Sequence, residues 1–176
     1  MKRFIYFALL VVLFASCNKN EVEQNPILEG NYKFVGTVVV VGGNINMETH
    51  EVSDFTKENV YVKPEQQEDG TYRLLLEEVN FSNMMPVNIN MALPGVVIKN
   101  GKLSLGAAET VNPLIVTPMG EVADENYVVK NFSGSVTYKD NGVFNEISLD
   151  FVVAMKRMDK VTEYPTSYKG VYQEVK

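Results

Sequence analysis

The chain holds one cysteine and one histidine in 176 residues, so nucleophile and metal chemistry has few atoms to work with. His50 is the sole imidazole, and Glu48 and Glu51 flank it as an acid would flank a base. A single histidine among polar residues reads first as a solvated surface group. Carboxylates also adjoin at Glu77-Glu78 and Asp124-Glu125. On a regular strand, Glu77 and Glu78 point to opposite faces and cannot share a substrate. Glu121, Asp124 and Glu125 could offer oxygens to Ca²⁺. They lack the alternating acids and fixed glycine of a dedicated loop, so a solvated acidic turn is the simpler reading. No Gly-X-Ser-X-Gly, His-Glu-X-X-His or glycine-rich phosphate loop occurs. The expectation is a protein that is not an enzyme, with no catalytic residue, metal site or cofactor.

The remaining reactive atom is the Cys17 thiol. Before it lie a basic start at Lys2 and Arg3, an apolar run over residues 4–14, and the small pair Ala15-Ser16. This is the layout of an export signal, cut after small residues. Its eleven-residue run is too short for a hydrocarbon core that takes about twenty residues. Leu13-Phe14-Ala15-Ser16-Cys17 resembles the lipobox of bacterial lipoproteins, with Phe14 where the pattern prefers an aliphatic residue. That resemblance implies cleavage before Cys17, a diacylglyceryl group on its sulfur, and acylation of the new amino terminus. Burial at about 0.8 kcal/mol per CH₂ makes several chains together a firm anchor. Residues 1–16 are then a lipoprotein signal peptide, and 17–27 the lipidated Cys and a polar, flexible tether closing near Pro26. The expected address is outside the cytoplasm, on an outer membrane, facing either the periplasm or the cell surface.

Losing Lys2 and Arg3 while keeping all 22 acids leaves 14 cations and a formal charge of −8 on the mature chain. Nucleic acid is excluded as a partner, because phosphate contacts need clustered Lys and Arg. With no second cysteine, stability must come from burying apolar surface, and a domain over residues 28–176 is long enough to do so. Valine occurs 27 times against 12 leucines, with nine Tyr and nine Phe, a composition that fits pleated strands.

Turn signals divide that domain into hairpins. Residues 31–41 read as a first strand ending at Gly42-Gly43-Asn44, and 45–52 as a weak edge strand. Pro64 suits an edge on the strand over 59–65. Glu68-Asp69-Gly70 fits a three-residue hairpin that sets Val62 opposite Leu76 and Pro64 opposite Leu74. Asn100-Gly101 is a type I′ signal pairing Ile98 with Leu103 and Val96 with Leu105. Asn141-Gly142 is another, joining 127–139 to 143–155 in a register where residue numbers sum to 283. Val136 then faces Ile147, Phe132 faces Phe151 and Val128 faces Met155. Ser135 meets Ser148 and Thr137 meets Glu146 on the wet side. Residues 107–118, with Pro113 and Pro118, read as a loop crossing one end. About eight to ten antiparallel strands without a helix leave a closed barrel or a two-layer sandwich.

Gly30-Asn31-Tyr32 before a Val-rich strand, Asp69-Gly70-Thr71-Tyr72 leading into Leu74-Leu75-Leu76, and Phe81 followed by Met85-Pro86-Val87 resemble the calycin-like β-barrel domain of small bacterial lipoproteins. Tyr164 to Gly170 falls where a terminal strand would return. The resemblance implies an up-and-down barrel. Calycins are best known for holding apolar molecules inside it. In lipocalins a Gly-X-Trp on the first strand plugs the closed end, with a basic residue from near the last strand over it. The resemblance puts Tyr32 in the first place, and Lys169 or Arg157 in the second.

The apolar stretch from Met84 to Val97 carries adaptable methionines, and its Met85, Met91 and Val96 could line a ligand together with Phe132, Val136, Ile147 and Phe151. The same residues equally suit a filled core. Two functions follow. One is a membrane-anchored barrel binding a small apolar or amphipathic molecule inside. The other is a structural or adhesive envelope lipoprotein whose outer surface or loops bind a protein or glycan partner.

Overall fold

A computed structural model describes residues 31–176. The expected signal peptide, Cys17, the expected tether and Gly30 lie outside the described residues. Eleven strands and no helix make up the described chain: β1 (Tyr32–Ile45), β2 (Val52–Gln66), β3 (Tyr72–Val79), β4 (Ile89–Lys99), β5 (Lys102–Ser104), β6 (Thr110–Val111), β7 (Leu114–Thr117), β8 (Gly120–Ala123), β9 (Tyr127–Tyr138), β10 (Phe144–Arg157) and β11 (Lys160–Glu174). All pairings are antiparallel. Following the ladders from β1 through β2, β3, β4, β5, β9, β10 and β11 returns to β1, so one sheet closes on itself as a ring. Closure leaves these strands paired on both sides, which is how a long antiparallel sheet avoids open edges.

Alternation along the long strands sorts side chains into the ring or out of it. β10 buries Ile147, Leu149, Phe151, Val153 and Met155 while Ser148 and Asp150 face outward. β3 does the same with Tyr72, Leu74 and Leu76. The inward residues of all the long strands form one continuous core. Each fully buried Leu, Val or Phe contributes about 1.5–3 kcal/mol.

Several registers match the sequence expectation. Val62 faces Leu76 and Pro64 faces Leu74. Ile98 faces Leu103 across a turn in which Asn100 (φ 51°) and Gly101 (φ 70°) are both left-handed, as type I′ requires. Val96 does not pair with Leu105, because the β4–β5 ladder ends at Val97–Ser104.

Other expectations are corrected. Gly42-Gly43-Asn44 is a bulge inside β1, with Gly42 at φ 68°, and the chain turns only over residues 46–51. No weak edge strand occupies 45–52. Gly43 lacks a Cβ where one would lie 2.6 Å from the Phe81 carbonyl oxygen, so a side chain there would expel that loop. Pro64 is buried on a strand flanked by β1 and β3, but the β1–β2 ladder stops at Phe34–Val62, short of the proline that cannot donate to it. Residues 107–118 are not a bare loop. They hold β6, which pairs with β9, and β7, which pairs with β4, so the segment bridges a seam where β4 and β9 are not directly paired.

The β9–β10 hairpin holds the expected sum of 283 only from Ser133–Asp150 to Val136–Ile147. Its turn has three residues, not two: Lys139 N–H donates to Val143 O at 2.8 Å, and only Gly142 (φ 79°) is left-handed. The resulting offset, Tyr138 opposite Phe144, is absorbed by a shift before Ile147. A second bulge sits at Asn131 (φ 54°), beyond which Val129 faces Val153 and Tyr127 faces Met155. Val128 therefore does not face Met155. Val129 takes the buried place instead.

Candidate functional site

The ring has two unlike ends. The first carries the start of β1, the end of β11 and the β2–β3, β4–β5 and β9–β10 turns, which are polar. Behind them Tyr32, Phe34, Tyr138, Phe144 and Tyr172 form an aromatic plug: Phe34 and Tyr172 have ring centres 4.9 Å apart, Phe144 and Tyr172 5.4 Å, and Tyr138 stacks on Phe144 at 5.5 Å. Tyr32 stacks on Tyr172 at 5.8 Å. Lys169 is exposed beside Thr37 on the outer face, and Arg157 ends β10 at the opposite end, so neither is placed as the basic cover of a lipocalin. Burial raises the Tyr172 phenol above its ordinary value, the nearby Tyr32 adding to the effect.

The second end is closed by the β3–β4 connection. Phe81 is buried, and its N–H donates to the Met85 sulfur at 3.4 Å. Asn80 and Ser82 are buried polar residues satisfied within the loop: Ser82 N–H donates to Asn80 Oδ1 at 3.0 Å, and Asn80 Nδ2 donates to Met85 O at 3.3 Å. Asn83 ties the loop to β1, accepting from Ile45 N–H at 3.0 Å and donating to Ile45 O at 2.9 Å.

The residues expected to line a ligand are packed between these plugs. Met91, Val96, Val136, Ile147 and Phe151 are buried core members, as is Phe132 at 9% exposure, and Met85 is half-buried against them. Phe132 and Phe151 have ring centres 6.3 Å apart. The structure thus brings the seven into one hydrophobic cluster, and of the two surface depressions described only Ile147 borders one.

The sparse titratable candidates stay apart. His50 is exposed in the β1–β2 turn at φ 60°, and its N–H donates to Asn46 O at 2.8 Å. Glu51 accepts from the Thr49 hydroxyl at 3.2 Å, and among the described residues no acid is hydrogen-bonded or ion-paired to the imidazole. Glu77 pairs with Lys33, which also lies 5.5 Å from the Tyr61 ring centre. Glu78 forms a bulge at φ 59° between inward Leu76 and Val79, which sets both acids on the outer side and not on opposite faces. Glu121 is held by Arg73, whose other nitrogen pairs with Glu65. Asp124 accepts from Asn126 N–H at 2.9 Å and from its side chain at 2.8 Å, closing a turn. Among the described residues no three His, Cys, Asp or Glu side chains are grouped to hold a metal ion.

The larger of the two depressions lies outside the ring, over β9, β10, β11 and β1, with a volume near 630 Å³. The ladders align its lining in two rows: Ser135, Ser148, Lys169 and Thr37; then Thr137, Glu146, Val171 and Val35. Thr137 Oγ accepts from Glu146 N–H at 3.2 Å, which joins the second row where the ladder is shifted. The wet side of the β9–β10 hairpin was visible in sequence. The partnership with β1 and β11 was not, because it depends on closing the ring.

Comparison with protein families, curated proteins and solved structures finds no match.

Proposed function

We propose that this chain is an exported lipoprotein, held at the outer membrane through Cys17, whose domain is a calycin-like up-and-down β-barrel. It recognises an envelope partner, a protein or a glycan, with its outer surface and loops, and does not shelter an apolar guest. One observation carries that choice. A closed sheet of eight strands is just wide enough to be filled or to hold one small guest. Here the middle is occupied by contiguous side chains from every long strand, with five aromatic rings at one end and Phe81 at the other. The sequence of residues 1–17 supports the anchor. β1 starts at the polar end of the ring, the side to which a tether from Cys17 would connect.

The test uses the full chain expressed in a bacterial host fed an alkyne fatty acid. Label is expected on the wild type and absent from Cys17→Ala. Native mass spectrometry of the purified lipoprotein is expected to give the mass of protein plus its acyl groups. A stoichiometric lipid or sterol retained in addition would sink this reading in favour of a carrier.

A further inference from the structure

The outer depression is a hydroxyl-rich sheet face. Its floor is made of strands that are already paired on both sides: β11 between β1 and β10, β10 between β11 and β9, and β1 between β2 and β11. An extended peptide gains affinity by adding a strand to a free edge, and no such edge exists here. Recognition must therefore run through side chains. Those available are four hydroxyls (Thr37, Ser135, Thr137 and Ser148), one carboxylate, one ammonium and a small apolar ledge of Val35 and Val171.

The two charges are the informative part. Glu146 and Lys169 occupy diagonal sites across the β10–β11 ladder, where Glu146 faces Val171 and Ser148 faces Lys169. Diagonal neighbours lie within reach of long side chains. Neither makes an ion pair or a side-chain hydrogen bond within the described chain, as is usual for the exposed charges of this surface. The groove thus presents an unengaged acceptor and an unengaged donor whose charges cancel, a poor match for a polyanion or polycation. They suit a ligand that is neutral and dense in hydroxyls.

The geometry points to a neutral oligosaccharide as the ligand of this groove, with adjacent hydroxyls donating to the Glu146 carboxylate. Lys169 and the Ser and Thr hydroxyls donate to sugar oxygens, and the C–H face of a ring rests on Val35 and Val171. No aromatic platform lines the site, so single-site affinity is weak, and many copies anchored on one membrane supply avidity. This inference rests on the outer-surface recognition proposed above and names its partner class.

The test is saturation-transfer NMR on the full chain in a sugar-free detergent, with cellohexaose and chitohexaose as probes. Binding of at least one hexasaccharide is expected, weakened five-fold or more by Glu146→Gln and by Lys169→Met and unchanged by Glu58→Gln on β2. Unaltered circular dichroism shows that the variants are folded. No transfer to either sugar, or equal binding by all the variants, overturns the inference. A photo-crosslinker at Ser148 separates the two levels. If it captures a defined envelope protein while no sugar binds, the saccharide assignment fails and outer-surface recognition stands. If it captures nothing and the protein retains an apolar guest, both fail.

Discussion

The hydroxyl of Tyr168 donates to the carbonyl oxygen of Phe34 at 3.0 Å, with the Val60 carbonyl oxygen a second acceptor at 3.2 Å. The phenol can reach across because Gly170, opposite Gly36 on the β1–β11 ladder, puts no side chain in its way. A Cβ on Gly170 would collide with the Tyr168 ring and hydroxyl. The expected outcome of Tyr168→Phe is a loss of about 1–2 kcal/mol in urea unfolding, the scale of buried acceptors left without a donor. Gly170→Ala costs about 1–3 kcal/mol through overpacking. Tyr168→Phe does not rescue it, because a ring carbon lies 2.8 Å from the added Cβ.

Burial also holds the Tyr168 phenol neutral, pushing its ionisation well above the ordinary 10.0. The sign follows from proton counting. Above pH 10 the unfolded chain gives up this proton while the folded chain keeps it, so the unfolded state is favoured as pH rises. Stability is expected to fall from about pH 10 upward, and less steeply in Tyr168→Phe. A residual slope stays with Tyr172 and Tyr127, both raised chiefly by burial. Identical alkaline unfolding curves for wild type and Tyr168→Phe would show that the buried phenol is not the titrating group.

How far such features can be read in advance depends on their range. The Asn100-Gly101 turn and the Val62–Leu76 register are set by residues close in sequence, and local turn chemistry is enough to place them. Asn131 is different. Asparagine tolerates a left-handed backbone but does not announce one, so the bulge that moves Val129 inward leaves the alternation of 127–139 readable in either phase. Ring closure joins Tyr32 to Glu174, a contact no local pattern encodes. The outer groove depends on that closure, so only its Ser135, Thr137, Glu146 and Ser148 side was legible.

The bulge itself is testable. Asn131→Gly keeps the left-handed backbone at no steric cost and is expected to change stability by less than about 1 kcal/mol. Asn131→Val places a β-branched residue in the same conformation and is expected to cost about 1–3 kcal/mol. Deleting residue 131 should be far worse, since it would turn Val129 outward along with every inward side chain between Tyr127 and the bulge. Chemical denaturation of the three variants checks the order.

Arg73 offers a separate handle on the β7–β8 hairpin. Its guanidinium joins Glu65 on β2 to Glu121 on β8, while β7 is attached to β4 by only three residue pairs. Arg73→Met is expected to cost about 1–3 kcal/mol, the range for hydrogen bonds to charged groups. Amide exchange should rise in residues 114–123 and stay unchanged in β10 and β11. Uniform acceleration over the whole ring would mean that Arg73 supports the global fold and not this hairpin.

Apolar exposure is concentrated at one end of the molecule. Met47, Met84, Val87 and Met158 stand on the β1–β2, β3–β4 and β10–β11 connections, with Met158 94% exposed. The turns of the opposite end carry Asp69, Asn100, Asn141 and their glycines. Met158 also holds a left-handed backbone (φ 54°) that a glycine would adopt more easily, so neither burial nor local conformation favours methionine there. The triple variant Met47→Ser, Met84→Ser, Met158→Ser is therefore expected to unfold within about 0.5 kcal/mol of the wild type, as surface substitutions do. It should also elute markedly earlier from a phenyl matrix. A large loss of stability would instead make these side chains part of the packing that closes the second end.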